Sequence, residues 1–175
     1  MKGTSHLCIG IFAAYAVHQA VPLASSPLSL VAALGLAAAA ALVPDVDSDE
    51  AEIRQITGTA RSKGLAGRVV SWLTRLFGGH RALTHTMLAW LIVTFWAGLY
   101  FRGNGFAVAV SVGYLSHLIA DMLTPQGVPL LWPVYRKRVR LLPAAFAIRT
   151  GSAIETLAVV AVGVAAIVRS WPPRF

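Results

Sequence analysis

Apolar residues along this chain gather in five long runs, and each run predicts a helix. The first extends from about Leu7 to Val21, and the small polar residues Gly3, Thr4 and Ser5 could lengthen it at its start. The second, Pro27 to Val43, is almost entirely leucine, alanine and valine, and Pro44 predicts that its helix ends or kinks there. The third runs from Ala82 to Phe101. After a turn at Arg102-Gly103-Asn104 the fourth occupies Gly105 to Leu123, closed by Thr124-Pro125, and the fifth spans Ser152 to about Val168. About 20 apolar residues cross a bilayer, so runs of this kind predict membrane helices. The fold class expected is all-α: a polytopic membrane protein of about five transmembrane helices, in a single membrane-embedded domain over residues 1–175.

Two long polar stretches separate the runs, one over residues 45–79 and one over 126–150. Within the first, Val69 to Phe77 is amphipathic at helical spacing, which predicts an interfacial helix in the 54–79 region. Composition supports the membrane class. Hydrophobic residues make up 57% of the 175 and charged residues only 13%, against about 25% in soluble domains.

The formal charge is +8. Such an excess invites a nucleic-acid reading, but its distribution argues for a membrane. With five spans, the N-terminus and both long loops share one side. That side carries twelve of the fifteen Lys and Arg residues, leaving Arg102, Arg169 and Arg174 for the other. The positive-inside rule then places the N-terminus and both loops in the cytoplasm, at a bacterial-type inner membrane. Nucleic acid is not the expected partner. Lys2 followed by an apolar run and Pro22-Leu23-Ala24-Ser25 resembles a signal peptide. His18 and Gln19 interrupt that run, however, and cleavage there would discard His6, so the segment is read as a retained helix. Cys8 is the only cysteine and reads as a packing residue, with a ligand role beside His6 as the alternative.

Ionisable groups near a bilayer interior are costly and usually functional. Here they fall in a pattern. His6 opens the first run, Asp45 and Asp47 close the second, His80 and His85 open the third, His117 and Asp121 end the fourth, and Glu155 opens the fifth. In the five-span arrangement every one of them lies on the cytoplasmic side. His117 and Asp121 are four residues apart, hence on one helix face. Such a pair can share one metal ion, or the aspartate can orient the histidine. Asp45-Val46-Asp47 follows a helix end, where both carboxylates could turn toward one ion; a solvated loop is the other reading for Asp47. Arg81 could clamp an anionic group bidentately, or be an ordinary interfacial arginine. His18 lies twelve residues beyond His6, roughly 18 Å deeper, and carries no expected site role. A mixed nitrogen and oxygen donor set suits a divalent transition metal, zinc foremost, with manganese or iron as alternatives. Trp132, Tyr135 and Arg136-Lys137-Arg138-Val139-Arg140 read as a headgroup-level belt of aromatics and cations, which could also recruit a lipid.

These segments resemble the YdjM-type family of predicted inner-membrane metal-dependent hydrolases. The resemblance rests on His6, on Leu42-Val43-Pro44-Asp45-Val46-Asp47, on His80-Arg81-Ala82-Leu83-Thr84-His85, and on Ser116-His117-Leu118-Ile119-Ala120-Asp121 leading to Thr124, Gly127 and Trp132-Pro133. Gly151-Ser152 and Glu155 supply a weaker last block. More distantly, the order of these residues is similar to that in zinc-dependent phospholipases C and single-strand nucleases. The resemblance implies that His6, Asp45, His85, His117, Asp121 and Glu155 form a metal site. Gly151 stands where that pattern has a histidine four residues before Glu155. One or two ions are therefore expected rather than three.

The function expected is a membrane-bound metal-dependent hydrolase, with a phosphoester on a lipid or lipid-linked molecule as substrate and an ester or amide as the alternative. Asp45 or Asp47 would act as base, and Arg81 with His80 would bind substrate. The rival reading is a non-enzymatic membrane protein, either a metal or proton transporter or a scaffold. Transport would need polar groups continuing across the bilayer, and the third and fourth runs offer only Thr94 and Ser111.

Overall fold

The computed structural model describes residues 1–45 and 83–169. The predicted interfacial helix, Asp47, His80 and Arg81 lie outside the described residues.

Among the described residues five α-helices follow in order: α1 Gly3–His18, α2 Pro27–Leu42, α3 Met87–Tyr100, α4 Gly105–Met122 and α5 Ala153–Arg169. Among the described residues there is no strand, only an isolated antiparallel bridge between Val128 and Val139. Two helical stretches among the described residues are long and apolar enough to cross a membrane, α4 and α2 with the 3₁₀ turn that continues it to Asp45. Among the described residues the two candidate spans are thus fewer than the about five expected, because the other helices are too short or too little apolar. α3 has 14 residues, about 21 Å at the helical rise.

Local chemistry sets the helix starts. Ser26 and Ser29 form a capping box at the head of α2, with Pro27 in its first turn. Asn104 caps α4 through the Phe106 amide. Thr86 caps α3 through the Ala89 amide. That cap corrects the expected start of the third helix at Ala82: His85 lies in a turn ahead of α3, not in its first turn. An apolar run does not reveal a cap placed inside it. At the other end of α2, Pro44 cannot continue the α-helix, and residues Val43–Asp45 tighten into the 3₁₀ turn.

The core is a trio of α1, α2 and α4, with α3 packed on α4 and α5 on α1. Small residues bring the trio together. A Cβ at Gly113 of α4 would lie 2.1 Å from the Ala37 carbonyl oxygen of α2, and one at Gly10 of α1 would lie 2.8 Å from Ala41 Cβ. Ala14, Ala33, Ala37 and Ala109 fill the contact with no exposed surface. Backbones that approach so closely gain dispersion contacts without needing large side chains, the packing favoured in membranes. Outward, α3 exposes Leu91, Ile92, Phe95 and Trp96, and α5 exposes Leu157, Val160, Val164 and Ile167. Apolar surface on this scale suits lipid rather than water.

Candidate metal centre

The close trio delivers its polar groups to one end. α1 supplies His6, the 3₁₀ turn after α2 supplies Asp45, the turn before α3 supplies His85, and the last turns of α4 supply His117 and Asp121. His6, His85, His117 and Asp121 are all buried, and His6 and His117 are fully so.

The donor atoms converge. His117 Nε2 is 3.1 Å from His85 Nε2 and 3.6 Å from Asp121 Oδ2. His85 Nε2 is 3.5 Å from the same Asp121 oxygen and 3.4 Å from Asp45 Oδ1. Asp45 Oδ1 is 3.9 Å from His117 Nε2. The His6 ring stacks on His117 with centroids 3.8 Å apart, and its Nε2 is 3.3 Å from Asp121 Oδ1. Asp121 Oδ1 also meets the Met1 ammonium at 2.9 Å.

Two overlapping sets, His6-Asp45-His117 and His85-His117-Asp121, each hold their ligand atoms within 4.8 Å of one another. Tetrahedral zinc with bonds of about 2.0–2.2 Å sets its ligand atoms roughly 3.3–3.6 Å apart. The separations around His85, His117, Asp121 and Asp45 are of that size. A second observation points the same way. Among the described residues, both ring nitrogens of the fully buried His6 lack a hydrogen-bond partner of good geometry. An unsatisfied buried nitrogen is costly, and a cation on its lone pair would remove the cost. The residues present therefore fit a divalent ion.

The rings are held in place. His117 Nδ1 is 2.7 Å from the Ala41 carbonyl oxygen. A carbonyl only accepts, so Nδ1 is the protonated nitrogen and a neutral ring offers its Nε2 lone pair to the cluster. His85 Nδ1 is 3.1 Å from Thr84 Oγ1. The turn carrying His85 is fixed from three directions. The Tyr114 hydroxyl donates to the Thr84 carbonyl, Thr86 Oγ1 donates to the Leu83 carbonyl, and the Met87 amide donates to the Leu130 carbonyl. Burial pushes the His85 imidazole down from its ordinary pKa, but the carboxylates of Asp121 and Asp45 outweigh it and the net displacement is upward.

Glu155 does not join the group, which corrects its expected ligand role. It is buried, but its Oε1 accepts the Lys2 amide at 2.7 Å and its Oε2 accepts the Gly151 amide at 2.5 Å. It ties the start of α1 to the turn before α5. His18 Nδ1 accepts the Leu23 amide in the α1–α2 turn. Sequence reasoning missed Tyr114, Thr84 and the Ala41 carbonyl. Tyr114 carries a signal in hindsight, since a buried tyrosine in an apolar helix needs a partner for its hydroxyl.

Fold and site together define an all-helical membrane protein with a buried histidine and aspartate cluster at one end of its helices. The YdjM inner membrane protein family model matches residues 1–172, and the chain belongs to that family. It is 37% identical over 108 residues to the inner membrane protein YdjM of Escherichia coli (strain K12), covering 57% of this chain and 48% of that one. The Shigella flexneri YdjM matches to the same extent, so the chain spans about half the length of these two relatives. The Bacillus subtilis (strain 168) protein YvsG, described as uncharacterized, is 33% identical over 157 residues, covering 90% of this chain and 86% of YvsG. No solved structure matches the chain.

Proposed function

We propose that this chain is a multi-pass, membrane-bound, metal-dependent hydrolase whose substrate is a phosphoester on a lipid or lipid-linked molecule at the cytoplasmic face of the inner membrane. The observation that carries the reading is the convergence of His85 Nε2, His117 Nε2, Asp121 Oδ2 and Asp45 Oδ1 at ligand spacing in a buried site. His6 completes the donor set. One or two divalent ions, zinc foremost and manganese or iron as alternatives, are the cofactor assigned. Such an ion lowers the pKa of a bound water and stabilises charge on a phosphoryl oxygen.

The chain's own residues orient and exclude. Ala41 and Thr84 hold two imidazoles in register, and the small-residue packing keeps water from the cluster's inner side. Asp45 is the more open of the two carboxylates, its side chain 16% exposed against 5% for Asp121. It is therefore the one suited to accept a proton from the attacking water. Asp47 as alternative base, and His80 and Arg81 as phosphate-binding residues, keep the roles their sequence positions assign. The inner-membrane, cytoplasmic placement rests on the family and on the distribution of basic residues. A transport pathway is disfavoured deeper in the bundle. There Trp90 Nε1 and Thr94 Oγ1 are both engaged by Ser111, leaving these polar groups mutually satisfied.

The test is metal analysis of the purified protein beside an assay on phosphodiester and phosphomonoester lipids. Hydrolysis that stops on chelation and returns with added metal supports the reading. Hydrolysis indifferent to chelation, or no hydrolysis by metal-loaded protein, overturns it.

A further inference from the structure

Between Leu123 and Ile154 the chain contains no acidic residue and five cations: Arg136, Lys137, Arg138, Arg140 and Arg149. All five are exposed. Among the described residues no carboxylate pairs with any of them. Apolar side chains stand out beside them, with Val134 94% and Phe146 75% exposed, and Tyr135 and Leu141 about half. Water alone explains neither the apolar exposure nor the unbalanced charge.

This segment is not loosely attached. Val128 and Val139 exchange backbone hydrogen bonds at 3.1 and 2.8 Å, forming the neck of a hairpin. The Leu130 carbonyl accepts the Met87 amide, two residues beyond His85. The Met122 and Leu123 carbonyls accept the Leu141 and Ile148 amides, directly after Asp121. The cationic hairpin is thus tied by its backbone to the same helix ends that carry the histidine and aspartate cluster.

We propose that the 128–141 hairpin is a binding surface for anionic phospholipid, held beside the cluster. Val134 and Tyr135 enter the interfacial region, and Arg136, Lys137, Arg138 and Arg140 meet headgroup phosphates. Tyrosine favours the headgroup level, and each cation near an anionic leaflet adds to binding. Interleaved apolar residues fit a bilayer surface better than the uniformly polar backbone of a nucleic acid. The surface selects by charge, so it prefers anionic over zwitterionic lipid. The inference rests on the membrane placement in the proposed function and not on metal or turnover.

Native mass spectrometry of the full chain in neutral detergent tests it, with phosphatidylglycerol and phosphatidylcholine of identical acyl chains supplied in equal amounts. The wild type should retain phosphatidylglycerol preferentially. The triple variant Arg136→Gln, Lys137→Gln, Arg138→Gln should lower that preference more than about tenfold, with its metal content unchanged. The charge-conserving variant Arg136→Lys, Arg138→Lys should keep it. Should the triple variant fail to fold, the single Lys137→Glu, at an exposed side chain, should lower the preference on its own. Equal retention of both lipids by the wild type overturns the proposal, as does an unchanged preference in a folded charge variant or displacement of phosphatidylglycerol by a single-stranded oligonucleotide. Wild-type protein that prefers anionic lipid but binds no metal would end the hydrolase reading and leave this surface standing.

Discussion

The Nε2 atoms of His117 and His85 face each other at 3.1 Å, while the opposite nitrogen of His117 is committed to the Ala41 carbonyl. Two neutral imidazoles so arranged would direct lone pairs at one another unless a proton or a metal ion lies between them. With Asp121 and Asp45 completing the ring of donors, a divalent cation satisfies more of these atoms than a proton can. Removing His117 should therefore abolish stoichiometric metal binding. His117→Ala is expected to purify with less than about a tenth of the wild-type metal, measured by elemental mass spectrometry. Wild-type occupancy in the folded variant would remove His117 from the site.

Tyr114 reaches the site through the backbone: its hydroxyl donates to the Thr84 carbonyl in the turn that presents His85. Groups that orient a ligand commonly alter metal affinity by 10- to 100-fold. Tyr114→Phe keeps the ring that packs in the core and deletes only the donor. The expected outcome is a metal affinity about tenfold weaker with secondary structure retained, read by competition against a chelating dye. An unchanged affinity would show that Thr86 and Leu130 hold the turn without help.

How far the sequence exposes this site can be judged residue by residue. His6, Asp45, His85, His117 and Asp121 stand out because each is an ionisable group at the end of an apolar run, where few bland explanations exist. The same logic selects Glu155 and fails there. A buried carboxylate is equally satisfied by backbone amides, and sequence does not separate the two solutions. Helix existence is legible from apolar runs, while the start of α3 is not, because Thr86 caps it inside a run that looks continuous. Tyr114 hides for a related reason, since an aromatic ring in an apolar helix reads as lining until the partner of its hydroxyl is known.

The Glu155 correction makes a prediction of its own. Both carboxylate oxygens accept backbone amides, from Lys2 and Gly151. Glu155→Gln replaces one acceptor with an NH₂ group that would face an amide donor. Leaving such a buried donor unpaired costs about 1–3 kcal/mol. A lower melting temperature with full metal content is expected. Loss of metal with unchanged thermal stability would restore Glu155 as a ligand.

Gly113 tests the packing that assembles the site. Its missing side chain lets the α4 backbone approach Ala37 of α2, whereas Gly98 on α3 has nothing within 4 Å of its would-be Cβ. Gly113→Val should destabilise by about 1–3 kcal/mol or more, the usual cost of overpacking, and should loosen metal binding by separating α2 from α4. Gly98→Ala should be neutral or slightly stabilising, because alanine is the better helix former. Thermal unfolding in detergent separates the two, and equal effects would refute the close-approach account.

Topology decides whether the cluster faces the cytoplasm, as the proposed function requires. The cationic hairpin lies at the same end as the cluster, so one reporter on it serves for both. In a Cys8→Ser background, Val134→Cys places a single thiol on a side chain that is 94% exposed. Gly103→Cys would place one in the α3–α4 turn at the other end of the bundle, but Gly103 has a φ of 70°, which disfavours any larger residue. Asn104 caps α4, so Arg102, already a non-glycine residue in that turn, is the better site. The positive-inside rule predicts opposite outcomes for the two. In intact cells a membrane-impermeant maleimide should label Arg102→Cys and leave Val134→Cys untouched until the membrane is opened. Labelling of Val134→Cys from outside would put the cluster on the periplasmic side and exclude a cytoplasmic substrate.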